Sequence, residues 1–368
     1  MRIFGILWGI VCVGALTQSS AFAGTGLCLI RQLEELRNSN RITLERFYAP
    51  INEIRSIIQG NPALDLAIDK LVESDSRKYI FRLEALSRLY RDHPTLGEGF
   101  NRLLGFFKQF EDSLGAYVDA KKTAKKADEL GVSQEIVKLL SDHAQQKHHE
   151  LVAYLKTSGW ADGSSGQFLE MQRFLEGVSW YKQKVDRLFL LGVFSKELSK
   201  IESITFNMRD LQGGVHELRR RLRWILIDIQ SLRGKVEIID DKPPKALKPL
   251  LDTLEEPNKY GVFEISDGVK KRIKIRKSFY QALNALVTRL GELKDDGELI
   301  EALAHAYVKT EYVTGRTVSE VQAMEWAKQF SKLDSSRQDF YPEASKLYKI
   351  LQDSELLKKL RTDLEGQM

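Results

Sequence analysis

The chain has 368 residues, 43% of them hydrophobic and 29% charged, with a formal net charge of +5. Those proportions belong to a globular chain able to bury one or two cores, and they exclude a chain too charged and too poor in apolar residues to fold. A net charge this small also excludes polyanion binding by global excess: any such binding needs cations concentrated locally.

Met1-Arg2 precedes an apolar run over residues 3–16, and Ala21-Phe22-Ala23 supplies a small-x-small cleavage pattern. This reads as a secretory signal peptide, residues 1–23, cut after Ala23, with an uncleaved anchor as the alternative. The run is shorter than the roughly 20 apolar residues of a membrane span, and no second run occurs. Neither Cys12 nor Cys28 is preceded by the small residue of a lipoprotein site. The expected destination is the periplasm or the exterior. Cleavage leaves 345 residues at +4, since Arg2 is the one charge removed, with Cys28 as the sole cysteine. A single thiol forms no internal disulfide, so stability must come from packing.

Helical periodicity dominates the rest of the chain. The spacing predicts helices over 27–39 and 44–58, the second closed by Gly60-Asn61-Pro62. Residues 24–74 read as an N-terminal helical extension. Further helices begin near Asp65 and Asp75, the latter ending at His93-Pro94. A long helix over 100–130 points Leu103, Phe106, Phe107, Phe110, Leu114 and Tyr117 inward, and Ser133 caps another. Residues 159–166 (GWADGSSG) read as a flexible connector, with helices beyond it over 168–195 and 198–212. After the helix at 215–233, Lys242-Pro243-Pro244-Lys245 breaks the pattern. Residues 260–277 alternate about Asp267-Gly268, a β-hairpin signal. Helices resume at 278–308, 319–332 and 342–365.

Residues 106–120 and 287–302 echo each other: apolar helix, acidic and small residues, a glycine (Gly115, Gly297), then apolar helix. This suggests two diverged halves, 75–212 and 213–368, the second carrying an insertion at 236–277.

The densest chemistry lies in GGVHELRRRLRWILIDIQSLR, residues 213–233. Leu211, Val215, Leu218, Leu222, Ile225, Ile229 and Leu232 form a core stripe. His216, Arg219, Arg220 and Arg223 recur at i, i+3, i+4 and i+7 on an adjacent face. Like charges so spaced repel by a few tenths of a kcal/mol per pair, so neighbouring carboxylates or an external anion must offset them. Guanidinium groups suit the second case because each holds phosphate oxygens through paired hydrogen bonds. The competing reading is a basic face paired internally, with Glu217 and Asp228 as partners.

His216, Arg219 and Arg223 match a pattern H-x-x-R-x-x-x-R, and the segment resembles the CHAD domain, the conserved-histidine α-helical domain. Leu290-Gly291-Glu292-Leu293-Lys294-Asp295 is similar to a second motif of that family, L-G-E-x-[RK]-D, and departs from it at Gly297. In the first half Tyr79-Ile80-Phe81-Arg82 stands where the histidine motif is expected, and only Arg82 keeps the basic character. The resemblance covers roughly residues 75–365. It implies an all-α helical bundle of two four-helix halves, here with the N-terminal extension and a β-hairpin insertion. It also implies binding of polyphosphate or a similar polyanion in a basic groove lined by His216, Arg219, Arg223, Arg82 and Lys294. Arg220 joins this set on helical geometry alone. A histidine titrating near the ordinary value of about 6.5 would add affinity on mild acidification.

Lys270, Arg272, Lys274 and Arg276 fall on one face of the expected hairpin strand, where charge protects an edge or meets an anion. Residues 121–126 read as a solvated lysine face without the aromatic interleaving of single-strand binders, so nucleic acid is not an expected partner. His143, His148 and His149 lack one-face metal spacing. No nucleophile elbow, P-loop or paired-carboxylate motif occurs. The expected function is therefore non-enzymatic and needs no cofactor. It is an exported polyphosphate-binding bundle or, alternatively, a structural or protein-interaction protein whose basic residues pair internally.

Overall fold

The computed structural model describes residues 22–161, 166–252, 269, 271–331, 333 and 339–368, with side chains from residue 41 onward. Residues 1–21 of the expected signal segment, residues 162–165 of the expected connector, and the first arm and turn of the expected hairpin lie outside the described residues. Among those described, the helices in chain order are α1 (Phe22–Gln59), α2 (Leu64–Glu73), α3 (Arg77–Tyr90), α4 (Gly97–Leu130), α5 (Gln134–Thr157), α6 (Gly166–Gly177) and α7 (Gln183–Glu202). After these come α8 (Glu217–Ser231), α9 (Lys248–Leu251), α10 (Lys277–Val313), α11 (Glu320–Phe330), α12 (Tyr341–Asp353) and α13 (Leu356–Glu365). Two short strands, β1 (Val236–Ile239) and β2 (Ile273–Arg276), complete an all-α bundle with a small β insertion.

Several boundaries differ from expectation for identifiable reasons. The helices expected at 27–39 and 44–58 are one helix, α1, which carries Pro50 internally. The helix expected at 198–212 does not form: α7 ends at Glu202, and a π-helical turn occupies Leu211–His216. Asp210 caps that turn, its Oδ1 accepting from the backbone N–H groups of Gln212 (3.0 Å) and Gly213 (2.8 Å). Gly214 is required there, because a Cβ would stand 1.8 Å from the Asn207 carbonyl oxygen. Trp160, expected in a flexible connector, is 2% exposed and packs 4.7 Å from the Phe110 ring. Among the described residues β2 pairs in parallel with β1, Val236 opposite Ile273 and Ile239 opposite Arg276.

The core stripe of α8 and the turn before it is buried at all seven positions from Leu211 to Leu232. Burying a leucine or isoleucine fully is worth about 2 kcal/mol, so this stripe anchors the centre of the bundle. One apolar interior runs from Phe47 of α1 to Leu364 of α13, drawing on both halves of the sequence. A second cluster closes the far ends of α4 and α10, where Ala127, Leu130 and Ile136 meet Ile300, Leu303 and Ala327. At the centre α3 crosses α8. There Phe81 meets Trp224 edge-on at 5.7 Å, and Arg88 binds both oxygens of buried Asp228 at 2.7 and 2.8 Å. Burial raises the Asp228 carboxyl to about 6 although Arg88 holds it down. Among the described residues no helix is long and apolar enough to cross a membrane.

Candidate functional site

The π-helical turn hands His216 to α8 at the crossing with α10, the helix of Gly291 and Lys294. His216 Nδ1 lies 3.0 Å from Gln212 Oε1 and 3.9 Å from Glu298 Oε1. Burial lowers its pKa, and Lys294, Arg219 and Arg223 lower it further, against the pull of Glu298. Those neighbours place His216, Arg219, Arg223 and Lys294 within electrostatic reach of one another. The acidification response expected near the ordinary histidine value is therefore moved to lower pH.

The cations are not equally available. Arg220 is turned away from the others: its Nε and Nη2 donate to the two oxygens of Glu217 at 2.7 and 2.9 Å. Arg221 shares the same carboxylate at 2.6 Å. Lys294 is 14% exposed and held by Glu298 (2.6 Å) and Asp295 (3.3 Å). Arg219 passes across the α10 backbone at Gly291, where a Cβ would stand 2.8 Å from Nε. Arg223 lays its guanidinium 4.8 Å from the centre of the Phe81 ring, a cation–π contact. Its Nε is buried without a hydrogen-bond partner, and among the described residues no carboxylate pairs with it. Asp228, a partner expected for this face, is instead engaged by Arg88 of α3.

Arg82, the first-half candidate, sits half-buried on α3 next to Phe81. Geometry nominates a different residue as the counterpart of Arg219. Arg77 crosses α4 at Gly115, where a Cβ would stand 2.7 Å from Nη2. Matching Gly115 to Gly291 shifts the sequence echo by six residues, so that Leu114-Gly115 and Asp119 align with Leu290-Gly291 and Asp295. Gly297, the match for Gly115 by sequence pattern, instead packs against Leu211. Pairing Arg77 with Arg219 sets Ser74, just before α3, and Phe81 opposite His216 and Arg223. In the first set Arg77 is closed off by Glu111 (2.6 Å) and Asp119 (3.1 Å). The position equivalent to Glu111 on α10 is Val287, an apolar core residue. The sequence echo was visible, but its register is set only by which glycine lies under an arginine.

Two other groups carry no sequence signal. Asp186 on α7 is buried with Lys235 (3.1 Å) and accepts a hydrogen bond from the Tyr90 hydroxyl (2.8 Å), with Arg46 of α1 also beside that hydroxyl. Glu84, buried near Glu111, has its carboxyl raised to about 7, chiefly by burial. These residues come from α1, α3, α4, α7 and the turn after α8, so no local motif announces them. Of the three histidines on α5, His148 faces Tyr117 and Asp65 while His149 contacts Gln145. Among the described residues no group of metal-ligating side chains gathers.

Comparison with known proteins finds no matching family model, no matching curated protein and no matching solved structure.

Proposed function

We propose that this chain is an exported, non-enzymatic binding protein for polyphosphate or a similar phosphate-rich polyanion, a divergent relative of the CHAD domain. The anion is held by Arg223, Arg219 and His216 along α8. The observation that carries the reading is Arg223: half-buried on Phe81, without a carboxylate partner among the described residues, and beside two further cations. Holding like charges together in a partly dehydrated place costs free energy that a bound phosphate would recover. Burial first, and then Lys294, Arg219 and Arg223, lower the His216 pKa at this place. The parallel placement of Arg77 over Gly115 and Arg219 over Gly291 supports a duplicated ancestry in which the second half kept the binding face.

The test is polyphosphate affinity of the full chain across a salt series. Arg223→Ala should lose about tenfold and reduce the slope of log K against log salt by about 1. Arg220→Ala should change neither, because that side chain already serves Glu217. Equal effects of the two substitutions, or none from Arg223→Ala in a folded protein, would reject the assignment. A second reading, an internally paired structural protein, draws on Arg220, Arg221 and Lys294, each bonded to a carboxylate of the chain. It predicts that Arg223→Ala lowers stability and leaves no anion affinity to lose.

A further inference from the structure

Away from α8, the β1–β2 ribbon and α7 border an open cavity of 560 Å³ lined, among the described residues, by Arg187, Glu237, Val269, Lys271, Arg272 and Lys274. Its volume lies within the range of small-molecule sites, about 300–1,000 Å³. Four cations face one carboxylate among the described residues. Among the described residues none of the four forms an ion pair, whereas the next two cations along the same run do. Arg276 binds Asp363 at 2.7 Å and Lys277 binds Asp240 at 3.0 Å. The unpaired charges are thus confined to the cavity wall.

We propose that this cavity binds a compact, polyvalent phosphate anion, such as an oligophosphate or a small phosphate ester. Three details argue for a built site over a solvated basic strand. Arg187 is fixed in place by neutral oxygens alone: Nε donates to the Arg272 carbonyl (3.0 Å), and Nη1 and Nη2 donate to the Gln367 carbonyl (2.8 Å) and Oε1 (3.3 Å). Its position is set while its charge stays uncancelled, as preorganised anion recognition requires. Arg272 has its Nε buried without a hydrogen-bond partner at the same wall. Finally, edge protection does not account for Lys274. The Gln367 side chain already closes the free edge of β2 there, its Oε1 accepting from the Lys274 N–H (2.9 Å) and its Nε2 donating to the Lys274 carbonyl (2.8 Å). Charge has no further pairing to prevent at that residue.

This site is independent of the α8 face, and the test keeps the two apart. The full chain is titrated with inorganic tripolyphosphate, and separately with vesicles of phosphatidylglycerol and phosphatidylcholine. Lys271 and Lys274 are exposed and their ammonium groups hold no partner among the described residues. Lys271→Ala/Lys274→Ala should therefore fold and lose about tenfold in tripolyphosphate affinity. Glu237→Gln removes the one carboxylate that the described residues give the wall and should tighten binding by about threefold, an effect of opposite sign that a folding defect cannot imitate. Arg223→Ala silences the α8 face, so the titration is repeated in that background, where the loss caused by Lys271→Ala/Lys274→Ala should persist. Wild-type affinity in the double variant, or no tightening in Glu237→Gln, overturns the proposal. So does vesicle binding that depends on the two lysines without tripolyphosphate binding, which would make the surface a membrane-contact patch.

Discussion

Glu84 provides a test of the central packing that needs no ligand. It lies on α3, 8% exposed, beside Glu111 of α4. The two cations that could neutralise it are occupied elsewhere: Arg88 by Asp228 at 2.7 Å and Lys108 by Asp112 at 2.6 Å. Burial, with Glu111 adding to it, raises the carboxyl from 4.5 to about 7. Because the folded value exceeds the unfolded one, the native state binds the proton more tightly. Below about pH 4.5 both states are protonated and Glu84 costs nothing. Between pH 4.5 and 7 the unfolded chain ionises first and stability falls, and above 7 the loss is complete. The interval corresponds to about 3 kcal/mol at about 1.4 kcal/mol per pH unit, an upper limit if water reaches the site on ionisation. Glu84→Gln removes the titration. Urea denaturation of both proteins from pH 4 to 8 should show the variant equal to wild type at the acid end and more stable by about 1–3 kcal/mol at pH 8. The difference cancels the contribution of Asp228, whose raised value acts in the same direction. A pH-independent difference, or a variant less stable at pH 8, would refute the assignment of a neutral buried Glu84.

Asp186→Asn should destabilise the protein by about 3–5 kcal/mol in the same assay, since it leaves Lys235 buried without its carboxylate. Gly291→Ala places a methyl group 2.8 Å from Arg219 Nε; polyphosphate affinity should fall several-fold while the helical circular dichroism is kept. Glu298→Gln releases Lys294 (2.6 Å) and withdraws the one carboxylate that raises the His216 pKa. Titration should then show tighter polyphosphate binding at neutral pH, by about threefold, and His216 protonating at still lower pH by NMR.

What the sequence disclosed depended on the range of the interaction. Period-3.6 spacing identified α8 so well that every stripe residue from Leu211 to Leu232 is buried, and Leu103, Phe107, Phe110, Leu114 and Tyr117 of α4 are buried as expected. It could not foresee the close approach of the Asn207 backbone to Gly214 within the π-helical turn, a contact that residue spacing does not encode. Residues 260–277 carry a hairpin signal whose first arm and turn lie outside the described residues, and alternation reveals the strand Ile273–Arg276 without the partner described for it. The partner described for Ile273–Arg276 is β1, some 37 residues earlier, reached in parallel. Lys294 and Arg220 were placed correctly on their helices, yet whether a cation meets an outside anion depends on which carboxylates can reach it. Glu298 is visible at i+4 from Lys294 and Glu217 at i−3 from Arg220, so these two neutralisations were legible in principle. Arg187 in the ribbon cavity was not, since its partners Arg272 and Gln367 lie far along the chain.

The same physics orders every basic residue on α8. With 56 basic and 51 acidic side chains, number cannot decide where an anion binds. A cation within one helical turn of a glutamate makes a local pair that is worth little to stability yet competes directly with any incoming phosphate. Arg220, Arg221 and Lys294 fall in that class. Arg223 avoids it because position 227, one turn on, is Ile227 and position 219, one turn back, is Arg219, while across the helix crossing it meets Phe81. An aromatic face attracts a guanidinium without cancelling its charge or occupying its donors, so the side chain is both positioned and available. Arg77 shows the converse: equally well placed over a glycine, it is closed off by Glu111 and Asp119. The difference lies in what reaches each guanidinium besides the Phe81 ring, which lies beside both: two carboxylates close off Arg77, and none among the described residues pairs with Arg223.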